Sequence, residues 1–158
     1  MGNIFSASEV VEMGIKIEAN GRDFYRETAA RSKNGPAIKT FESLAMEEED
    51  HIKRFESILS KVKKYEPSEA YPNEYFSYIK SLSGEYVFTE SKKGSEIAKT
   101  VNSDKEAVDL GIGFEKDSIL FYEEMKKFIL EGEKNIVDKL LDQEKVHLRK
   151  LNELRRTL

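Results

Sequence analysis

The sequence contains no cysteine among its 158 residues. It therefore cannot form a disulfide, use thiol chemistry or build an iron–sulfur or rubredoxin-type centre of its own. Only three prolines and nine glycines interrupt the chain, which favours long helices. No apolar run approaches the roughly 18 residues that a membrane-spanning helix requires, so we expect no membrane segment.

The charge balance is also mild. Acidic residues number 30 and basic residues 26, which gives a formal net charge of −4 and does not favour nucleic acid binding. Hydrophobic residues make up 39% and charged residues 35%, as in globular rather than disordered chains. We expect one domain spanning residues 1–158, and the absence of cysteine is compatible with a cytoplasmic location.

Capping and turn residues divide the chain into four predicted helices. Ser6 and Ser103 each have a glutamate three residues later, the pattern of a capping box, and Pro36 suits a first helical turn. The predicted helices cover about residues 7–31, 36–64, 104–131 and 133–157, with a crossover over about 65–103. Two short connections and one long one predict an all-α, ferritin-like four-helix bundle.

The sequence contains an internal repeat. Residues 10–27 and 107–124, at an offset of 97, share seven identities in 18 positions. At an offset of 96, a Glu-x-x-His motif in the second predicted helix aligns with another in the fourth. The pattern predicts two copies of a helical hairpin, related by a pseudo-twofold axis.

Acidic residues and histidines interrupt the apolar faces of these helices. In the second helix, Glu48 and His51 fill a gap in the apolar stripe between Ile38 and Val62. No lysine or arginine lies in the stripes to neutralise these residues, and burying an unpartnered carboxylate is costly. Two divalent cations would balance four ionised glutamates. The candidate metal ligands are Glu18, Glu48, His51, Glu115, Glu144 and His147.

Helix geometry gives these residues distinct roles. Residues i and i+3 lie about 60° apart around a helix and one turn along it. The glutamate of each Glu-x-x-His motif is therefore predicted to bridge two ions, while the histidine of the motif binds one of them. Glu18 and Glu115 are each predicted to be a terminal ligand of one ion. The chain has only two histidines, and both obey this spacing. The alternative is a metal-free bundle, a helical interaction module whose buried polar groups satisfy one another.

Two tyrosines lie near the predicted site. Tyr25 and Tyr122 follow Glu18 and Glu115 by seven residues, two turns along the same helix face. They are candidates for hydrogen bonding to the ligating carboxylates. The alternative is that they are core tyrosines whose hydroxyls find other partners. Mixed oxygen and nitrogen ligands suit iron and also manganese. We expect two iron ions, with manganese or a mixed pair as the alternative.

These motifs together resemble the di-iron domain of rubrerythrin-type proteins, within the ferritin-like superfamily. The resemblance implies a non-haem di-iron centre that reacts with hydrogen peroxide or dioxygen, a role in oxidative stress, and a homo-oligomer, which we expect to be a dimer. The residues that carry it are Glu18, Glu48-Glu49-Asp50-His51, Glu115 and Glu144-Lys145-Val146-His147.

The sequence departs from the rubrerythrin pattern in two respects. Without cysteine it has no rubredoxin domain to deliver electrons, so the expected function is reduction of peroxide or dioxygen with electrons from a separate donor protein. Ser118 stands where rubrerythrins place a second glutamate, three residues after the ligand of the third helix. The six-ligand set equally resembles bacterioferritin-type centres. The alternative function is therefore iron binding and ferroxidation for sequestration or storage.

Overall fold

The computed structural model describes residues 4–64, 71–72, 77–78, 81 and 92–158. Most of the predicted crossover between residues 65 and 91 lies outside these ranges. The described part is an all-α bundle, which confirms the predicted class. Its helices are α1 (Ala7–Arg31), α2 (Gly35–Lys64), α3 (Lys93–Thr100), α4 (Asp104–Met125) and α5 (Lys134–Thr157).

None of the helices in these ranges combines the length and apolar character that crossing a lipid bilayer needs. The strands β1 (Ile4–Phe5) and β2 (Tyr71–Pro72) are two residues each and pair antiparallel. The pairing ties the start of the chain to the crossover. The bundle itself is built from two helical hairpins, α1 with α2 and α4 with α5.

Side-chain caps explain where the long helices begin. The Ser6 backbone N–H donates to the Glu9 carboxylate at 2.6 Å, and Ser6 Oγ accepts from the Glu9 backbone, completing a capping box at α1. Ser103 Oγ accepts from the Glu106 backbone at 3.1 Å and caps α4. Helix α2 begins one residue before the predicted Pro36, because Asn34 Oδ1 accepts from the Ala37 backbone at 3.0 Å.

The predicted third helix was too long. Helix α4 ends at Met125 rather than near residue 131, and short 3₁₀ turns cover Lys126–Phe128 and Glu131–Glu133. Between these turns Ile129 has extended backbone, with φ −104° and ψ 160°. Phe128 and Ile129 are buried at positions that continue the apolar spacing of α4, so periodicity could not reveal the break. The break turns the chain back towards the start of α5.

Helix α3 is held closely against the middle of α1. The Gly94 backbone N–H donates to Asn20 Oδ1 at 3.1 Å. A Cβ atom added at Gly94 would lie 2.0 Å from the Asn20 carbonyl oxygen, so this approach requires glycine. The contact fixes the end of the crossover two residues from Glu18.

The apolar core surrounds the polar residues that the sequence placed inside the bundle. Phe24, Phe41, Phe55 and Phe121 are fully buried. The Phe24 ring packs edge-on against Phe114, with centroids 4.9 Å apart. Burying one such ring stabilises a fold by roughly 1.5–3 kcal/mol.

Candidate metal centre

All six predicted ligands lie in the interior, and none is more than 3% exposed. The four long helices supply them, with one glutamate each from α1 and α4 and a Glu-x-x-His pair each from α2 and α5. The candidate ligand atoms form two groups, and within each group they lie within 4.8 Å of one another. The first group is Glu18, Glu48, His51 and Glu144, and the second is Glu48, Glu115, Glu144 and His147. Glu48 and Glu144 belong to both groups, the placement expected of bridging carboxylates.

One nitrogen of His51 faces three carboxylates. His51 Nδ1 lies 2.9 Å from Glu144 Oε1, 3.2 Å from Glu48 Oε2 and 3.3 Å from Glu18 Oε2. These three residues come from three different helices. The His51 nitrogen thus lies at the meeting point of the first group.

His147 occupies the corresponding place in the second group. Its Nδ1 lies 3.3 Å from Glu48 Oε1, 3.6 Å from Glu115 Oε2 and 4.0 Å from Glu144 Oε1. The two imidazole rings stack with centroids 5.3 Å apart and an interplanar angle of 12°. The near-parallel rings and matched contacts agree with the pseudo-twofold relation that the repeat predicts.

The outer nitrogens of both rings are held by acceptors. His51 Nε2 lies 2.9 Å from Gln143 Oε1, and His147 Nε2 lies 2.7 Å from Glu47 Oε2. An amide oxygen and a carboxylate oxygen can only accept, so Nε2 carries the hydrogen in each ring. A neutral ring then directs the lone pair of Nδ1 into the cluster, as metal-ligating histidines do.

The apolar stripes and motif spacings of the sequence did not point to Glu47 or Gln143. A hydrogen bond from His147 lowers the pKa of Glu47 to about 2, with burial opposing and Lys150 assisting, so Glu47 is ionised at neutral pH. The signal that could have found both residues is their position. Each directly precedes the glutamate of a Glu-x-x-His motif, and the two align at the repeat offset.

The tyrosines hold the terminal carboxylates. Tyr25 Oη donates to Glu115 Oε1 at 2.5 Å, and Tyr122 Oη donates to Glu18 Oε1. The tyrosine of each hairpin therefore reaches the glutamate of the other hairpin, so the hydroxyls do pair with candidate ligands. Burial raises the pKa of both tyrosines, and the negative charge of the neighbouring glutamates raises it further. Both phenols stay protonated and act as donors.

We predict that Tyr25→Phe and Tyr122→Phe each destabilise the metal-free protein. Each change keeps the ring but leaves a buried carboxylate oxygen of Glu115 or Glu18 without its donor, which costs about 1–3 kcal/mol. Urea unfolding followed by circular dichroism measures the loss. The control is Thr100→Val, which removes an exposed hydroxyl that donates to the Ile97 carbonyl, and there we expect a change within about 0.5 kcal/mol. Equal losses at all three positions would contradict a specific role for the buried pair.

The site contains more acceptors than donors. Among the described residues, Glu48 Oε2, Glu115 Oε2, Glu144 Oε1 and His147 Nδ1 are buried with no hydrogen-bond partner. With its hydrogen on Nε2, His51 Nδ1 is an acceptor only 2.9 Å from another acceptor, Glu144 Oε1. Such a pair is tolerable only if a proton or a cation lies nearby. The donor set of four carboxylates and two imidazoles therefore fits two metal ions.

Protons take the place of cations in the metal-free cluster. Burial acts to lower the pKa of both histidines, but the charges and hydrogen bonds of the surrounding carboxylates outweigh it and raise the pKa of His51 and His147. Burial, reinforced by the charge of Glu48, raises the pKa of Glu18 and Glu144. Burial also acts to raise the pKa of Glu48, but its close contacts with Glu18 and with both protonated histidines outweigh burial and lower that pKa.

Comparison with known proteins agrees with this geometry. The rubrerythrin family model matches residues 9–155. A crystal structure from Thermotoga maritima, whose name places it among ferritin-like diiron-carboxylate proteins, is 31% identical to this chain with a TM-score of 0.70. The match covers 99% of this chain and 98% of the other. No curated protein matches the sequence at a significant level.

Proposed function

We propose, from the premise that this chain belongs to the rubrerythrin family, that it is a non-haem di-iron oxidoreductase. In this proposal it reduces hydrogen peroxide or dioxygen with electrons from a separate donor protein. The observation that carries the proposal is the pair of ligand groups that share Glu48 and Glu144. The name of the Thermotoga maritima protein, a diiron-carboxylate protein 31% identical to this chain, supports iron as the metal.

The two groups divide the ligands between two ions. Glu18 and His51 would bind one ion, Glu115 and His147 would bind the other, and Glu48 with Glu144 would bridge them. When bound, two iron ions would supply electrons to a small oxidant and neutralise the negative charge that develops on it.

The surroundings of the site support a small substrate. A Cβ atom added at Gly21 would lie 3.7 Å from the Glu48 carboxyl carbon, an ordinary contact distance, so the glycine leaves space for about one methyl group beside that carboxylate. Cavities of about 440 and 380 Å³ lie elsewhere on the bundle, and none of the six candidate ligands lines either. A molecule of the size of peroxide or dioxygen fits this enclosure better than a large organic substrate.

The buried hydroxyls of the two tyrosines hold protons close to the candidate ligands. Reduction of hydrogen peroxide to two waters consumes two electrons and two protons. The Oη protons of Tyr25 and Tyr122 are held against Glu115 and Glu18. They fix the orientation of both terminal carboxylates and keep a proton next to each. In this proposal a separate donor protein supplies the electrons, since the sequence has no cysteine with which to form a rubredoxin-type centre.

A second candidate function is iron oxidation for sequestration. Ser118 is buried and lies three residues after Glu115, where rubrerythrins place a further glutamate. Without that carboxylate, the ligand set of four glutamates and two histidines resembles bacterioferritin-type centres. Ser118 therefore favours ferroxidation as the alternative to repeated peroxide reduction.

Turnover with a donor separates these functions. The protein is loaded with ferrous iron without oxygen, mixed with hydrogen peroxide, and followed by absorbance while a reduced rubredoxin is supplied. We expect many molecules of peroxide consumed per chain. A single oxidation that no donor reverses would contradict the proposal. Many irons retained per chain in a large assembly on size-exclusion chromatography would favour sequestration.

We predict that metal binding releases protons. Because the pKa of both histidines is raised in the metal-free protein, His51 and His147 are protonated at neutral pH and must lose their protons to bind an ion. Affinity should therefore rise with pH, by about one logarithmic unit per pH unit for each proton displaced. Calorimetric zinc titrations in buffers of different ionisation enthalpy count the protons. No release, with affinity unchanged between about pH 6 and pH 8, would contradict this.

A further inference from the structure

The two hairpins differ at one pair of aligned positions that touch the candidate ligands. Glu47 and Gln143 align at the repeat offset of 96 and each accepts a hydrogen bond from the histidine of the opposite hairpin. One acceptor is a carboxylate and the other is a neutral amide. The cluster of ligands is symmetric, but the residues that support its histidines are not.

Glu47 is fixed by three donors. Its Oε2 accepts from His147 Nε2 at 2.7 Å. Its Oε1 accepts from Lys150 Nζ at 2.6 Å and from Ser43 Oγ at 3.1 Å. The carboxylate is thus held in place with one oxygen directed at the imidazole.

Gln143 makes the weaker contact of the pair. Its Oε1 accepts from His51 Nε2 at 2.9 Å, a normal length for a neutral hydrogen bond. Hydrogen bonds in which one partner is ionised are shorter and roughly twice as strong as neutral ones. The 2.7 Å contact of Glu47 fits the charged kind.

The acceptor on Nε2 changes the ligand strength of Nδ1. A carboxylate draws the Nε2 hydrogen towards itself and leaves more electron density on the ring, which makes Nδ1 a stronger metal ligand. An amide oxygen draws the Nε2 hydrogen less strongly and therefore leaves less electron density on the ring. The ammonium group of Lys150 offsets part of the charge of Glu47, but it contacts the oxygen that does not face the imidazole.

We propose that Glu47 makes the position bound by His147 the tighter of the two metal positions. The inference rests on the di-metal centre proposed above and adds that its two positions are unequal. Glu47 is a positioning residue, since it acts on the ion through His147. Partners of this kind typically change metal affinity by 10–100-fold, so a preference of about tenfold or more is expected.

The chain's two histidines allow a direct test. Protein labelled with ¹⁵N only in histidine is titrated with zinc, a diamagnetic probe, and the Nδ1 resonances of His51 and His147 are followed by NMR. In the wild type at one zinc per chain, we expect the His147 resonance to shift while most His51 stays metal-free. The His51 resonance should follow with the second equivalent.

Matched variants are then expected to change which of the two metal positions binds zinc first. Glu47→Gln keeps an acceptor of the same shape and should bring the two positions to within a few-fold of each other. The double variant Glu47→Gln with Gln143→Glu exchanges the acceptors, and we expect His51 to shift first. Lys150→Met removes the offsetting charge and should strengthen the wild-type preference. Far-UV circular dichroism verifies that each variant is folded.

The outcomes separate this inference from the proposed function. If both histidines shift together in the wild type, or His51 shifts first, the inequality is wrong while the two-ion site stands. A preference for His147 that persists in folded Glu47→Gln would also overturn the role of Glu47. If neither resonance shifts at two zinc per chain, the metal site itself is wrong and the inference fails with it.

Discussion

Glu48→Gln and Glu144→Gln are each expected to disrupt binding of both metal ions. Each carboxylate belongs to both ligand groups, so its loss removes a donor from two ions and part of the charge that neutralises them. Affinity should fall by more than the roughly 10–100-fold that loss of an outer-shell partner causes. Anaerobic titration with ferrous iron, followed by elemental analysis of the desalted protein, gives the number of ions retained.

The terminal glutamates provide the contrast. Glu18→Gln and Glu115→Gln each alter only one ligand group, so one ion should bind more weakly while the other is largely retained. Glu49→Gln is the matched control, because Glu49 is adjacent to Glu48 but pairs with Arg22 at 2.7 Å. It should retain two ions. Loss of one ion from a bridging variant and both from a terminal variant would contradict the assignment.

Loading with metal is expected to raise the melting temperature strongly. An ion that binds only the folded protein stabilises it by about 4.1 kcal/mol when its free concentration is 1,000 times the Kd. For a domain of this size, that corresponds to roughly 8–16 °C for each ion. Circular dichroism melts of the chelator-stripped and reloaded protein measure the difference.

A metal-free helical module would behave differently. Its buried polar groups would satisfy one another, so chelation would leave the melting temperature unchanged. The Glu144→Gln variant, folded but unable to bridge two ions, should lose most of the stabilisation by metal. Stabilisation equal to that of the wild type in this variant would place the stabilising ion outside the proposed centre.

The sequence was sufficient to predict the helical bundle and the cluster of six candidate ligands inside it. The apolar stripes marked which face of each helix is buried, and six acids and histidines fell on those faces. The internal repeat then required matching residues to meet from both hairpins, as Glu48 and Glu144 do. Two histidines with the same spacing made the pattern specific.

Contacts between helices were less accessible from sequence. Spacing placed Tyr25 on the same face as Glu18, but its hydroxyl reaches Glu115 across the bundle. Periodicity defines the buried face of one helix and carries no information on the partner opposite. The role of Glu47 could not be predicted for the same reason, because it depends on His147 in another helix. The end of α4 was misplaced because Phe128 continues its apolar pattern past the break.

X-ray absorption spectroscopy of iron-loaded protein tests the central idea most directly. Two irons per chain should give a metal–metal scattering distance of about 3.5–4 Å, with mixed oxygen and nitrogen ligands. Elemental analysis on the same sample should find two irons per chain. Less than one iron per chain, or irons without a metal neighbour at that distance, would contradict a paired-ion centre.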